Sequence, residues 1–194
     1  MEYSSIAPEA EEVLSDKRPP QDWPQSGAVD FVDYSVRYRE GLPLTLKNVN
    51  LDIKSGERVG IVGRTGAGKS TLTLALFRLI EPASGHVAID EINTSTLGLW
   101  DVRSNLAIIP QDAAIIQGTM RNNLDPAGKH SDEKLWHALE HAQLKDHVNT
   151  MDGKLDAKLD EGGSNLSQGQ RQLVSLARAL LTDSKILVLD EATR

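Results

Sequence analysis

The stretch Gly63-Arg64-Thr65-Gly66-Ala67-Gly68-Lys69-Ser70 limits what this chain can fold into more than any other segment. Its glycines let a backbone bend where side chains would forbid it, so that successive N–H groups converge on one anion. On its amino side, Arg58–Val62 is a short apolar run that reads as a strand. On its carboxyl side, Leu72, Ala75, Leu76 and Leu79 repeat at helical spacing, so Thr71–Ile80 reads as a helix stopped by Pro82. Strand, glycine-rich bend and helix start, in that order, bring free N–H groups and the positive end of a helix dipole to one place. Lys69 adds a point charge there, and Ser70 a hydroxyl able to ligate Mg²⁺. The spelling G-x-x-x-x-G-K-[ST] in this context is that of a P-loop, a cradle for a polyphosphate.

Around this segment the pattern changes along the chain. Residues 1–27 carry Glu9, Glu11 and Glu12, then Pro19-Pro20 and Trp23-Pro24, without apolar periodicity, and are expected to be a disordered acidic linker. Val32, Tyr34, Val36 and Tyr38 alternate with polar residues, the period of a half-buried strand. A second alternating run, Leu44/Leu46 and then Val49/Leu51/Ile53, slips in phase, which predicts a bulge or a break. His86–Asp90 and Leu106–Ile109 read as further strands. From about Thr119 to Leu181 only helical patterns and loops are expected. Leu135, Ala138, Leu139 and Ala142 mark one helix, and another starts at Ser167 with Gln170 at capping-box spacing. Ile186–Leu189 is a continuous apolar run of the kind buried on both faces of a sheet. The order predicts an α/β domain over 28–194, with a partly parallel mixed sheet, an antiparallel β-subdomain and a mostly helical subdomain over 112–181. The chain stops four residues after Asp190, so the domain is expected to be incomplete at its C-terminus.

Composition narrows the function. The chain has no Cys, which excludes disulfides, thiolate metal sites and thiol chemistry. The net charge of −7 divides into −4 over residues 1–22 and −3 over the rest. Neither part is basic, which argues against a nucleic-acid partner. No apolar run approaches 18 residues, so direct membrane insertion is not expected and any membrane role comes through a partner. Of the five His, His137 and His141 are four apart, and they read as a solvated helix face. Asn93-Thr94-Ser95 and Asn165-Leu166-Ser167 match glycosylation acceptors, a reading discounted in favour of the motifs that follow.

Three further motifs bear on the chemistry. Ile186-Leu187-Val188-Leu189-Asp190-Glu191 resembles a Walker B strand, whose acidic end lies at the rim where α/β sheets bind ligands. Asp190 would then help hold Mg²⁺, and Glu191 would act as general base toward water. Leu166-Ser167-Gln168-Gly169-Gln170 reads from first principles as a Ser-capped helix start with N–H groups free for a phosphate. It also resembles the LSGGQ signature of ATP-binding cassette (ABC) ATPases, with Gln168 in place of the first glycine, and Arg171-Gln172-Leu173 and Leu176-Ala177-Arg178-Ala179-Leu180 continue as that family does. The runs Gly118-Thr119-Met120-Arg121-Asn122-Asn123-Leu124-Asp125-Pro126 and Glu161-Gly162-Gly163-Ser164-Asn165, with the acidic linker, resemble the second nucleotide-binding domain of the multidrug-resistance-associated (C) subfamily.

That resemblance implies ATP and Mg²⁺ as cofactors. It implies nucleotide binding by Tyr38, stacking on adenine, and by Gly63, Arg64, Thr65, Gly66, Ala67, Gly68, Lys69, Ser70 and Thr71. Ser70, Gln111 and Asp190 would serve the metal, Glu191, Gln111 and Lys69 catalysis, and Ser167, Gly169 and Gln170 the γ-phosphate across a domain boundary. The partners implied are a second nucleotide-binding domain, arranged head to tail, and the transmembrane domains of a parent exporter. The location implied is the cytoplasmic face of a plasma or vacuolar membrane. In the family, a D-loop and an H-loop histidine follow Walker B. Here Ala192-Thr193-Arg194 ends the chain, so it is expected to bind ATP and to hydrolyse it poorly alone. The alternative expectation is a non-catalytic nucleotide-binding fragment from a truncated product. An ABC-type ATPase acting on DNA or the ribosome is disfavoured by the acidic balance.

Overall fold

Alternation in the first third of the chain becomes an antiparallel sheet. In the computed structural model, which describes residues 8–190, β1 (Val29–Val36), β2 (Leu46–Ile53), β3 (Ser84–Ile89) and β4 (Ile92–Asn93) lie in the order β2-β1-β3-β4. Two bulges shape the β1–β2 ladder. Phe31 pairs with Leu51 and Tyr34 with Val49, so β1 carries an extra residue at Asp33, whose φ is 47°. Tyr34 to Val36 then spans Val49 to Leu46, so β2 carries one at Asn48, with φ 48°. The second bulge is the phase slip read from the sequence. The first was not anticipated, and it corrects the reading of Val32: Val29 and Phe31 are buried, Val32 is exposed, and Tyr34 and Val36 are buried again. One extra residue inverts the side-chain parity of everything beyond it.

The chain divides into two units, Met1–Leu106 and Ala107–Arg194. In the first, α1 (Lys69–Leu76) ends four residues short of the expected Ile80. The reason is Arg78, at φ 50°, which turns the chain so that its buried guanidinium donates to Thr94 O, Leu97 O and Glu81. A short helix, α2 (Leu99–Arg103), follows. Residues 8–27, expected to be a disordered linker, form no helix or strand but make several contacts, while residues 1–7 lie outside the described ones. The N–H groups of Leu99 and Trp100, orphaned at the helix start, donate to Glu11 O and Glu12 O. Arg103 pairs with Glu9, Arg18 with Asp101, and the Trp23 indole, 6% exposed, donates to Ile89 O. Gly98 permits this packing, since a Cβ there would stand 2.6 Å from Glu12 O.

The expected strand Arg58–Val62 is not formed, and Val62 is 94% exposed. Apolarity alone does not make a strand; a ladder partner does, and none among the described residues pairs with this run.

The second unit runs β5 (Leu106–Ile109), β6 (Gly118–Thr119), α3 (Met120–Leu124), α4 (Asp132–His141), α5 (Lys145–Thr150), β7 (Lys158–Leu159), α6 (Gln168–Leu181) and β8 (Ile186–Leu189). Its core gathers Met120, Leu135, Leu139, Leu144, Val148 and Val174, where the apolar stripes of α4 and α6 meet. The β6–β7 ladder is antiparallel and was absent from the sequence reading, being only two residues deep. β5 pairs with β8, and the Asp190 N–H donates to Ile109 O at 3.0 Å, so the carboxyl ends of the two strands are neighbours. Ile186 is buried but Leu187 and Leu189 are exposed, so the expectation of burial on both faces is corrected. The face that carries Leu187 and Leu189 is left uncovered by the described residues.

Candidate nucleotide site

The glycine-rich bend wraps its own lysine. The Lys69 Nζ donates to Gly63 O at 2.8 Å and to Arg64 O at 3.2 Å, while the Ala67 N–H closes a turn onto Arg64 O at 3.1 Å. Gly66, at φ 80°, and Gly68, at φ 93°, hold conformations that an L side chain rarely adopts. At Gly68 a Cβ would also stand 2.8 Å from the Leu46 side chain, so glycine is required there twice over. Gly68 is the N-cap of α1. No side chain caps this helix, and no acidic residue sits in its first turn. Its leading N–H groups and dipole are therefore uncompensated, with Gly63 through Ala67 and Ser70 exposed around them. A glycine bend, an ammonium and an uncapped helix start together suit a polyanion.

Tyr38 lies beside this cradle. Its hydroxyl is 2.9 Å from the buried Thr71 Oγ1, in the first turn of α1, yet the residue as a whole is 51% exposed. The hydroxyl is tethered and the ring is left open, which fits a stacking platform. Tyr38 itself lies two residues beyond the end of β1, in an irregular segment rather than in the strand.

In the second unit, Asp190 follows β8 and Gln111 follows β5, from strand ends that the bond from Asp190 N–H to Ile109 O sets side by side. Both candidate metal residues thus leave the same edge of one small sheet. Glu191 lies outside the described residues. Ser167 is the N-cap of α6, with the full capping box. Its Oγ accepts the Gln170 N–H at 3.2 Å, and the Gln170 side chain accepts the Ser167 N–H at 2.8 Å. Ser167, Gln168 and Gly169 are exposed, and a Cβ on Gly169 would meet nothing within 4 Å, so the helix start faces open space.

Sequence reasoning did not single out the residues that fix this signature helix. The Arg178 guanidinium donates to Ala114 O at 2.6 Å, to Asn123 Oδ1 at 2.8 Å, and to Asn123 O. Buried Asn123 in turn donates to Ile116 O and Thr119 O and accepts the Ile116 N–H. The segment just after Gln111 is thereby bound to α6. Burial of Arg178 holds its pKa below the ordinary arginine value. The available signal was Arg178 one turn after the buried Val174 of α6, where a half-buried charge calls for hydrogen-bond acceptors.

The family model described as "ABC transporter" matches residues 46–194. The ATP-binding cassette transporter abc2 of Schizosaccharomyces pombe is 57% identical over 193 residues, covering 100% of this chain and 13% of that protein. The metal resistance protein YCF1 of Saccharomyces cerevisiae is 56% identical, covering 99% and 13%. The ATP-binding cassette sub-family C member 3 of Rattus norvegicus is also 56% identical, covering 99% and 13%. The chain thus spans about an eighth of the length of these relatives. Among solved structures, a bacterial Atm1-family ABC exporter with ATP bound superposes with a TM-score of 0.82 at 28% identity, over 97% of this chain and 32% of that one.

Proposed function

Because the chain belongs to the ABC transporter family, we propose that it is the ATP-binding and ATP-hydrolysing domain of a C-subfamily exporter, corresponding to the second nucleotide-binding domain of its relatives. The observation that carries this reading is the Lys69 ammonium held by the Gly63 and Arg64 carbonyls at an uncapped helix start.

In this reading Gly63–Thr71 cradle the phosphates of ATP, Lys69 neutralises charge on the β- and γ-phosphates, and the ring of Tyr38 takes the adenine. Ser70, Gln111 and Asp190 are oxygen donors suited to Mg²⁺, a hard cation. When bound, Mg²⁺ neutralises charge on the transferring phosphoryl oxygens. Glu191 orients the attacking water and accepts its proton. Ser167, Gly169 and Gln170 present their helix start to the γ-phosphate of a second nucleotide-binding domain, packed head to tail, which the open space before Gly169 supports. Transmembrane domains of the parent then turn the cycle into efflux from the cytoplasmic face of a plasma or vacuolar membrane. No helix of the described residues is long and apolar enough to cross a membrane.

Titration of the chain with Mg-ATP tests the reading. Lys69→Ala is expected to weaken binding about 10- to 100-fold, the loss of a charged hydrogen-bonding group; equal affinity would remove the assignment. In a full-length transporter carrying this chain, Glu191→Gln is expected to abolish turnover while keeping ATP bound, and an undiminished rate would acquit Glu191.

A further inference from the structure

Away from the nucleotide cradle, α4 carries a second arrangement with chemical content. His137 and His141 stand on its exposed side, one turn apart, with their Nε2 atoms 3.1 Å from each other. Their ring centroids are 4.3 Å apart and the planes are tilted by 55°, so the rings converge at their Nε2 corners rather than stacking in parallel. In the protein alone, one ring donates its Nε2–H to the other's lone pair. We propose that a divalent transition-metal ion of the Zn²⁺, Ni²⁺ or Cu²⁺ class replaces that proton and is chelated by both imidazoles.

The spacing supports this. With metal–nitrogen bonds of about 2.05 Å, a separation of 3.1 Å subtends an angle of about 98° at the metal, between the octahedral and tetrahedral values. Imidazole nitrogen selects Zn²⁺, Ni²⁺ and Cu²⁺ over Mg²⁺ and Ca²⁺, which prefer oxygen. His141 also closes the last turn of the helix, where the negative end of the dipole favours a cation. Among the described residues no third His, Cys, Asp or Glu joins the pair, so water fills the remaining positions. The reading of these residues as a mere solvated face took account of their spacing but not of where their rings turn.

The test is calorimetric titration of Zn²⁺ into the full 194-residue chain, without nucleotide and with Mg²⁺ in excess. One Zn²⁺ per chain is expected. His137→Gln and His141→Gln should each weaken it about a hundredfold, the loss of chelation, whereas His86→Gln and His130→Gln should not. Both His137 and His141 are exposed, and unchanged circular dichroism in the variants separates lost binding from lost fold. Imidazole nitrogen resonances give an independent readout: Zn²⁺ should move those of His137 and His141 together. Retained Zn²⁺ affinity in either His137→Gln or His141→Gln, displacement by Mg²⁺, or movement of one ring alone would overturn the proposal.

Discussion

The Tyr38 hydroxyl and the Thr71 Oγ1 are 2.9 Å apart, tying the segment after β1 to the first turn of α1. The bond sets where the tyrosine ring stands, and the exposed ring is what a base would meet. Tyr38→Phe keeps the ring and should change Mg-ATP affinity by no more than about fivefold, one neutral hydrogen bond. Tyr38→Ala removes the ring and should cost about 1–3 kcal/mol, the range for a base stacked on an aromatic side chain. Fluorescence titration of the two variants checks this; equal losses would show that the hydroxyl, not the ring, matters.

Arg178→Met should destabilise the second unit by about 2 kcal/mol, because the part-buried carbonyls of Asn123 lose their donor and the exposed Ala114 O loses it as well. Arg178→Lys should recover only part of this, since an ammonium lacks the planar fork that reaches several acceptors at once. Denaturant midpoints of the three proteins provide the measurement.

Ser167→Ala should cost about 1 kcal/mol through loss of the N-cap of α6. The same variant should leave Mg-ATP binding to the single chain unchanged, because the signature is assigned to the nucleotide held by another domain. Melting curves read the first effect and ATP titration the second. Hydrolysis in the full transporter should fall.

Partial burial alone would raise the pKa of Asp90, but donation from the Ser26 hydroxyl and from the N–H groups of Ser26, Ala28 and Gly27 outweighs it and brings the value down to about 2. The folded value lies below the ordinary 3.8, so the stabilisation is present above pH 4 and is lost as pH falls from there toward 2. Allowing for solvent screening, Asp90→Asn should cost about 1 kcal/mol at pH 7. Urea midpoints of wild type and variant should approach each other as pH drops to 3; a constant gap would contradict the assignment.

Much of the site was legible because its requirements are local. The bend from Gly63 to Gly68 needs residues without side chains at specified positions, a lysine next and a helix after. Ser167 and Gln170, three residues apart, specify a reciprocal cap that the structure reproduces. The slip between Leu46 and Val49 announced the bulge at Asn48. The bulge at Asp33 left a mark of the same kind, a shift from Val29 and Phe31 to Tyr34 and Val36, but Val32 extends the second run backwards and hides it until pairing with β2 sets the parity.

The sequence by itself determined the glycine-rich bend, the capped start of α6 and the family, since each is written in contiguous residues whose backbone preferences act over a few bonds. Tertiary structure decided what those preferences leave open. The carbonyls of Glu11 and Glu12 met orphaned N–H groups of α2, nearly ninety residues away along the chain. Arg58–Val62 stayed out of a sheet because a strand exists only where another strand completes its hydrogen bonds. Arg178 found its acceptors only once the chain around Ala114 and Asn123, more than fifty residues away, had packed against α6.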